Sequence, residues 1–308
     1  MQFNYLLGMN RLVGVTLVII SAAAFGTLAI IGHYAYAAGI DTLTLLFLRF
    51  GISALIIGVL LAFRGEPLPR GKSLALLIGM GAIGYFGQSF CFLTAIKYAS
   101  AGLVALLLYL YPTFVFILSA LFLKKKITRL KLAALGLATL GTALTVNPQG
   151  GQWMGILLAF SAAVIYAVYI IVGSVVMQKV SAVQSSTVIF ASAGVVFGVL
   201  TAIRGPSWPT TNAGWLAVLA IALIATVIPV VTFLAGLKRI GPTDASMLST
   251  FEPVVTILLA AWLLGESLQP VALLGGGLIL MAVLLITYGE IPRDKPILVS
   301  DEDGQLVQ

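Results

Sequence analysis

The amino-acid sequence predicts an all-α membrane protein of ten transmembrane helices, arranged as two inverted five-helix repeats. Three observations support this fold class: an apolar composition, ten apolar runs of spanning length, and an internal repeat. Of the 308 residues 60% are hydrophobic and only 9% are charged, and the mean hydropathy is +1.12. Soluble domains carry about a quarter charged residues, because their surface must be hydrated. The solvent of this chain is therefore predicted to be largely lipid.

The predicted spans follow from the length of the apolar runs. A hydrocarbon core about 30 Å thick needs about 20 residues of helix. The runs are continuously apolar and lack the alternation of a barrel strand, so they predict helices. Short separators such as Arg64-Gly65-Glu66-Pro67 divide them. The predicted spans are 11–32, 41–63, 72–97, 100–123, 129–146, 153–178, 181–203, 213–240, 244–264 and 270–289.

The distribution of basic residues predicts the orientation of the bundle. With the N-terminus in the cytoplasm, nearly all of the 17 Lys and Arg fall on the cytoplasmic side. Only Lys97 and Arg204 fall outside, and Arg49 lies within a span. The positive-inside rule therefore predicts that both termini are cytoplasmic. We expect residues 1–10 to be a cytoplasmic N-terminus and residues 290–308 to be a disordered cytoplasmic tail.

An internal repeat relates the two halves of the chain. When the sequence is shifted by 141 residues, Gly14 aligns with Gly155, Lys97 with Lys238 and Pro112 with Pro253. The repeats are 11–146 and 153–289, and each holds five predicted spans. Because five is odd, the second repeat must insert upside down, as in many secondary transporters. A duplicated scaffold without transport is the alternative reading.

The sequence argues against several other classes of protein. Although the net charge is +7, Lys and Arg lie in short gaps between apolar runs instead of on one basic face, so no nucleic acid is expected. With one cysteine, Cys91, and one histidine, His33, no metal site with several Cys or His ligands can form, and no cofactor is expected. No His-Glu-x-x-His motif and no phosphate-binding glycine loop occurs, which argues against an enzyme. A channel would need a polar ring, and none is recognisable.

Four short motifs indicate a family. They are Leu48-Arg49-Phe50, the segment Thr94-Ala95-Ile96-Lys97-Tyr98-Ala99-Ser100, Phe251-Glu252-Pro253 and Leu264-Gly265-Glu266. With these motifs the chain resembles the drug/metabolite transporter superfamily, specifically EamA-type proteins with two copies of a five-helix module. The resemblance covers about residues 11–290. The first repeat departs from the pattern, with Tyr111-Pro112 in place of Glu-Pro and Lys124-Lys125 in place of Gly-Glu.

The resemblance implies a function and a location. It implies a secondary transporter in the bacterial inner membrane that exports small organic solutes by alternating access around a midplane cavity. The aromatic-rich cavity residues look most like those of YddG-type exporters, which makes aromatic or hydrophobic amino acids the expected substrates. The alternative is a multidrug or metabolite exporter of the same fold. A channel or a membrane enzyme is less favoured.

Two prolines and two charged residues are candidates for the transport site. Pro112 and Pro253 lie in mid-span at equivalent positions of the repeats, where they predict kinks near the midplane. Glu252 is a deep intramembrane acid that could take a proton or a substrate ammonium group. Arg49 could hold a substrate carboxylate or pair with Glu252. For each of these residues, a structural role in packing is the alternative.

The expected cavity wall contains polar side chains that lie too deep to face lipid. Buried hydroxyl and amide groups need protein or water as partners, and an apolar pocket with a few polar groups suits a small organic molecule. For each hydroxyl, packing is the alternative. His33 is interpreted as an interface anchor, with a proton relay as the alternative. The predicted cavity residues are Tyr85, Gln88, Tyr109, Tyr111, Tyr166, Tyr169, Ser246, Ser249 and Glu252.

Overall fold

The computed structural model describes residues 2–125, 128–145, 151–265, 267–289, 299–300 and 306–307. The α-helices are α1 (Gln2–Gly26), α2 (Leu28–Ala37), α3 (Thr42–Phe63), α4 (Gly71–Gly79), α5 (Phe86–Ala95), α6 (Ala101–Leu108), α7 (Tyr111–Leu123), α8 (Arg129–Thr145), α9 (Trp153–Val176), α10 (Ala182–Arg204), α11 (Asn212–Ala222), α12 (Ile228–Leu248), α13 (Glu252–Leu264) and α14 (Pro270–Gly289). Two π-helical turns, π1 (Met80–Tyr85) and π2 (Leu223–Val227), and the 3-10 turn Ser249–Phe251 connect neighbouring helices.

Beyond the helices, the described residues form one small strand pair, in which β1 (Val299–Ser300) runs antiparallel to β2 (Leu306–Val307). The rest of the predicted tail, 290–298, 301–305 and 308, lies outside the described residues. The expectation of a disordered tail therefore stays a prediction. Also outside the described residues are 146–150, Lys126 and Glu266.

Eight helical segments of the described chain are long and apolar enough to cross a membrane. The sequence predicts ten spans, and two features account for the difference. Helix α8 has only 17 residues, whereas the eight spanning segments have between 19 and 53. The segment Asn212–Leu264 is one helical run of 53 residues, although Gly241 within it has φ 81° and ψ 170°, far outside helical values.

The surface of these helices is apolar. Phe63, Ile203 and Trp262 are 87%, 78% and 79% exposed, and many other large apolar side chains are also exposed. Contiguous apolar surface of this extent cannot be hydrated without a large free-energy cost. Together with the eight apolar segments, it defines a multi-pass membrane protein.

Helix packing follows the 141-residue repeat. Helices α3 and α10, which are equivalent, pack on each other, and so do α8 and α14. The pair α1–α12 corresponds to the pair α9–α5, and both pairs are in contact. At the crossing of α8 and α14, a Cβ on Gly141 would lie 2.7 Å from the carbonyl oxygen of Gly275. Only glycine allows the backbones to approach so closely.

The irregular turns also recur at 141-residue spacing. π1 corresponds to π2 within two residues, and the break between α6 and α7 corresponds to the 3-10 turn Ser249–Phe251. Lys124, which ends α7 with φ 51°, corresponds to Gly265, which ends α13 with φ 70°. The two halves of the chain thus share both their helices and the interruptions of those helices.

The two ends of the bundle are distinguished by their polar contacts. At the end that we call the Asp41 end, Asp41 caps α3 and accepts a hydrogen bond from the Ser207 amide, and Tyr98 O accepts one from Gln152 N. Burial alone would raise the pKa of Asp41. The hydrogen bonds from Thr44, Ser207 and the Leu43 amide outweigh burial and hold that pKa below its ordinary value. At the other end, the Asp244 end, Arg11 and Lys131 both pair with Asp244.

Candidate transport cavity

A cavity of about 720 Å³ lies within the bundle. Residues of α2, α3, α5, π1, α9 and α13 are among those that line it. Most of its lining is apolar or aromatic, with a few polar groups between. This size and composition suit a small organic molecule.

Six of the nine predicted cavity residues line this cavity. They are Tyr85, Gln88, Tyr109, Tyr111, Tyr166 and Glu252. The structure does not bring Tyr169, Ser246 and Ser249 into the lining. Tyr169 packs behind Tyr166 with ring centroids 6.0 Å apart. Ser246 and Ser249 are buried on the Asp244 side of the cavity, and their hydroxyls donate to the backbone oxygens of Thr243 and Ala245.

The tyrosines form a continuous aromatic wall. The ring centroids of Tyr111 and Tyr166 are 4.6 Å apart, and those of Tyr85 and Tyr169 are 5.3 Å apart, both edge to face. Tyr85 in turn contacts Phe50 at 5.0 Å. Edge-to-face contacts of this kind fix ring orientation and contribute about 0.5–1.5 kcal/mol each beyond area burial. The wall is therefore a rigid apolar surface with phenolic hydroxyls.

Arg49 supplies a positive charge to the cavity although it is only 8% exposed. Its Nε donates to Thr226 Oγ1 at 2.7 Å, and one terminal nitrogen donates to Ala225 O at 3.2 Å. Both partners lie in π2, so the guanidinium of the first repeat is anchored on the second. The guanidinium carbon also lies 5.1 Å from the Phe50 ring centroid. These contacts orient the charge and leave it within the cavity wall.

Glu252 is the first residue of α13, and it lines the same cavity. Its backbone oxygen accepts from Thr256 Oγ1 at 3.1 Å. Within the described residues, no hydrogen bond or ion pair reaches its carboxylate, and none joins it to Arg49. Placing an unpaired carboxylate away from water is costly unless a ligand, a proton or water satisfies it.

Pro112 and Pro253 lie at the second positions of α7 and α13. The break in each span comes just before the proline, at 109–110 and at Ser249–Phe251. In the first turn of a helix a proline costs no hydrogen bond, because the missing N–H would have no partner there. The predicted mid-span kinks are thus interrupted helices whose second halves begin at the cavity wall.

The cavity reaches the Asp41 end of the bundle. His33 and Tyr36 of α2, Thr42 of α3 and Ile96 after α5 line its mouth, and His33 and Tyr36 are exposed. Sequence reasoning did not assign these four residues to the cavity, because exposed residues near a helix end look like interface anchors. Ser89 was also missed, although its i, i+4 spacing from Tyr85 places it on the same helical face as that residue.

The fold and the cavity define a class: a multi-pass helical membrane protein with an internal cavity. Comparison with known proteins identifies the family. The chain belongs to the EamA-like transporter family, whose sequence model matches it twice, at residues 12–147 and 153–288. The family resemblance drawn from the short motifs is therefore confirmed. The protein is a transporter, which also agrees with the expectation that it is not an enzyme.

Relatives from several organisms match most of the chain. The uncharacterized transporter YcbK of Bacillus subtilis is 24% identical over 92% of this chain and 95% of its own length. An uncharacterized transporter of Archaeoglobus fulgidus is 26% identical over 88% of this chain and 95% of its own. The uncharacterized inner membrane transporter YedA of Escherichia coli is 28% identical over 79% and 80% of the two chains. None of these names specifies a substrate.

A solved structure shares the fold. It is a crystal structure whose title names no function, and it superposes with a TM-score of 0.76 over 88% of this chain and 95% of the other chain. The sequence identity is 21%, so the likeness concerns the fold alone.

Proposed function

We propose that this chain is a secondary transporter that exports small organic solutes, foremost aromatic or hydrophobic amino acids, by alternating access around its central cavity. The observation that carries the proposal is the presence of two opposite charges in the lining of one aromatic-walled cavity. Arg49 and Glu252 line it without pairing directly, and Tyr85, Tyr111 and Tyr166 of the tyrosine wall line the same cavity. A zwitterion with an aromatic side chain complements all three surfaces, since guanidinium binds carboxylate and carboxylate binds ammonium.

The proposal includes ten spans in two inverted repeats. A continuous helix of 53 residues would be about 80 Å long, more than twice the hydrocarbon core. A chain reversal at Gly241 divides it into spans 212–240 and 242–264, and α1 contacts both α12 and α13, as such a reversal requires. Helix α8 at about 25 Å is short but can cross a bilayer that thins locally. The matching interruptions at 141-residue spacing support an in-plane pseudo-twofold axis.

The proposed location is the bacterial inner membrane with both termini in the cytoplasm. The charge bias of the loops supports this orientation, and the name of the YedA relative includes the inner membrane. In this orientation the Asp41 end faces outward and the Asp244 end faces the cytoplasm. The cavity described above is then open to the outside, as expected for an exporter after solute release.

Flux in proteoliposomes tests the function. Purified protein is reconstituted, preloaded with unlabelled solute and supplied with radiolabelled phenylalanine, leucine, aspartate or a cationic dye. We expect counterflow of phenylalanine and leucine, weak counterflow of aspartate, and none in liposomes without protein. Counterflow of the dye alone would favour the multidrug alternative, and no counterflow of any solute would contradict transport of this class.

A proton is the simplest coupling ion for such an exporter, and Glu252 is the group that we propose for it. Its carboxylate lacks a partner among the described side chains and faces the cavity. If a proton and a substrate ammonium group compete for it, their binding is mutually exclusive, and exchange follows. The same carboxylate then recognises the solute and couples its movement to the proton gradient.

A further inference from the structure

If the two repeats exchange conformations, each cavity-lining residue has a mate, which is the residue 141 positions away in the other repeat. The exposure of these mates shows whether the equivalent half of the molecule is open or closed. Phe92, Leu93 and Ala105 line the open cavity and are partly exposed, and their mates at 141-residue spacing are Phe233, Leu234 and Ser246. The mates are all buried. Two further mates of lining positions, Ser249 and Thr250, are buried as well. One half of the molecule is thus open and its counterpart is closed.

The closed half has a vestibule that stops short of these buried mates. A second cavity, of about 500 Å³, lies at the Asp244 end. Lys131, Ser174 and Asp244 line it, whereas Ser246 and Ser249 do not. The first residues of the helix that begins after Gly241, including Asp244, line this vestibule, and the buried mates Ser246 and Ser249 follow them along the chain.

Asp244 ties four helices together at this point. It is 1% exposed, and its carboxylate oxygens each lie 2.8 Å from a cationic nitrogen, one of Arg11 on α1 and one of Lys131 on α8. Those two side chains are only 15% and 17% exposed. Arg11 also donates to the Ile286 backbone oxygen of α14 at 2.6 Å. Breaking a buried pair leaves an uncompensated charge, so a network of this kind resists separation of its helices.

The open half has no equivalent network. The mates of Arg11, Lys131 and Asp244 at 141-residue spacing are Gln152, Ala272 and Leu103. None of these three side chains carries a charge, so the ionic contacts of the closed half have no counterpart at these positions of the open half. The sequence shows that the mates are uncharged, whereas only the fold shows that Arg11, Lys131 and Asp244 lie close together.

We infer that Asp244, through Arg11 and Lys131, is the positioning residue that holds the cytoplasmic half closed, and that it biases the transporter toward the outward-open state. This inference rests on the proposed exchange between two states. Opening the cytoplasmic half separates α1, α8 and the start of the helix that carries Asp244. Removing the charge at Asp244 shifts the population toward the inward-open state.

Thiol labelling tests this inference without any knowledge of the substrate. In a Cys91→Ser background, Ser246→Cys reports on the closed half and Ala105→Cys reports on the open half. Each reporter is combined with Asp244→Asn, Lys131→Gln or the control Glu66→Gln. Glu66 carries the same charge change on the same face, but it contacts Ser181 and Arg64 instead of the network.

The expected result is reciprocal. Asp244→Asn and Lys131→Gln raise the labelling rate at position 246 about tenfold, which is a population change typical of allosteric couplings, and lower it at position 105. Glu66→Gln changes neither. Unchanged rates in both network variants, or a rise at 246 without a fall at 105, overturn the inference. If Asp244→Asn fails to elute as a single species, Lys131→Gln decides. Flux assays with these variants are read separately, so a missing substrate does not affect the result.

Discussion

At the scale of single residues, the cavity is defined by which polar groups are already satisfied. The hydroxyls of Ser246 and Ser249 donate to their own helix, whereas Glu252 has a carboxylate without a described partner. Arg49 makes two contacts to π2 and still borders the cavity. Since an unsatisfied group is the one that gains from a ligand, we expect Arg49 and Glu252 to dominate solute recognition.

Replacement of Arg49 tests recognition of a carboxylate. We expect Arg49→Gln to raise the KM for phenylalanine about 10–100-fold, because a hydrogen bond to a charged group contributes about 1.5–3 kcal/mol. Arg49→Lys should retain part of the affinity, since it keeps the charge and loses the fork geometry. The measurement is counterflow of phenylalanine and of phenethylamine, which lacks the carboxylate. An equal loss for both solutes would indicate that Arg49 only supports the fold.

Replacement of Glu252 tests proton coupling. We expect Glu252→Gln to abolish uphill export driven by a pH gradient while passive exchange of solute continues at a reduced rate. The reason is that glutamine keeps the size and hydrogen-bonding capacity of the side chain but cannot take up and release a proton. Gradient-driven flux and exchange are measured in the same proteoliposomes. Gradient-driven flux that is intact in the variant would remove Glu252 from the coupling mechanism.

At the scale of helices, close backbone approach is a requirement that can be tested at one crossing. A Cβ on Gly141 would lie 2.7 Å from Gly275 O and 2.9 Å from a side-chain carbon of Ile279. We expect Gly141→Ala to cost about 2 kcal/mol or more, within the range for overpacking. Gly136→Ala is the matched control on the same helix, since its Cβ would meet nothing within 4 Å. This control should be neutral or stabilising by up to about 1 kcal/mol.

Thermal unfolding in detergent measures both glycine variants. A lower midpoint for Gly141→Ala with an unchanged or higher midpoint for Gly136→Ala is the expected pattern. Equal midpoints for the two variants would show that α8 and α14 cross at a greater distance than the 2.7 Å approach at Gly141 implies.

The start of α3 provides a second prediction at this scale. Loss of the cap in Asp41→Ala should cost about 1–2 kcal/mol, a typical value for a helix N-cap. Because the folded pKa of Asp41 is lowered, its contribution is complete above the ordinary pKa near 3.8 and is lost as pH falls through the lower folded value. Asp41→Asn keeps a capping side chain without this pH dependence. Unfolding midpoints between pH 7 and pH 3 distinguish the three proteins.

At the scale of the whole molecule, the two repeats and their antiparallel insertion imply a definite topology. We expect single cysteines at Lys125 and at Lys238 to be labelled from the cytoplasmic side, and one at Ser207 to be labelled from the outside. An impermeant maleimide applied to intact cells and to inverted vesicles makes the measurement. Labelling of positions 125 and 238 from opposite sides would contradict ten spans with the chain reversal at Gly241.

Much of this architecture follows from the sequence, and the reasons are physical. Long apolar runs must be helices in lipid, and the deep hydroxyl and amide groups of Tyr85, Gln88 and Tyr166 had to face something other than lipid. The paired prolines likewise indicated where each span is interrupted. These features depend on local chemistry and on chain periodicity, both of which a sequence displays directly.

Other features depend on tertiary contacts that a sequence does not display. Arg11 and Asp244 are separated by 233 residues, and no local pattern indicates that they meet. The anchoring of Arg49 requires a π-helical turn whose presence depends on packing. A chain with two similar halves also cannot reveal which half is open. For this reason the hydroxyls of Ser246 and Ser249 predict cavity residues, although both residues lie in the closed half.

The anchoring of Arg49 on Thr226 and Ala225 has a mechanical consequence. The Arg49 guanidinium, which we propose recognises the solute, donates two hydrogen bonds of 2.7 Å and 3.2 Å to the opposite half of the molecule. Relative movement of α3 and the turn before α12 must stretch or exchange those bonds. The solute carboxylate and the opposite half of the molecule then compete for the guanidinium nitrogens of Arg49. Release of the solute and the return of the transporter to its other conformation can therefore occur in one motion.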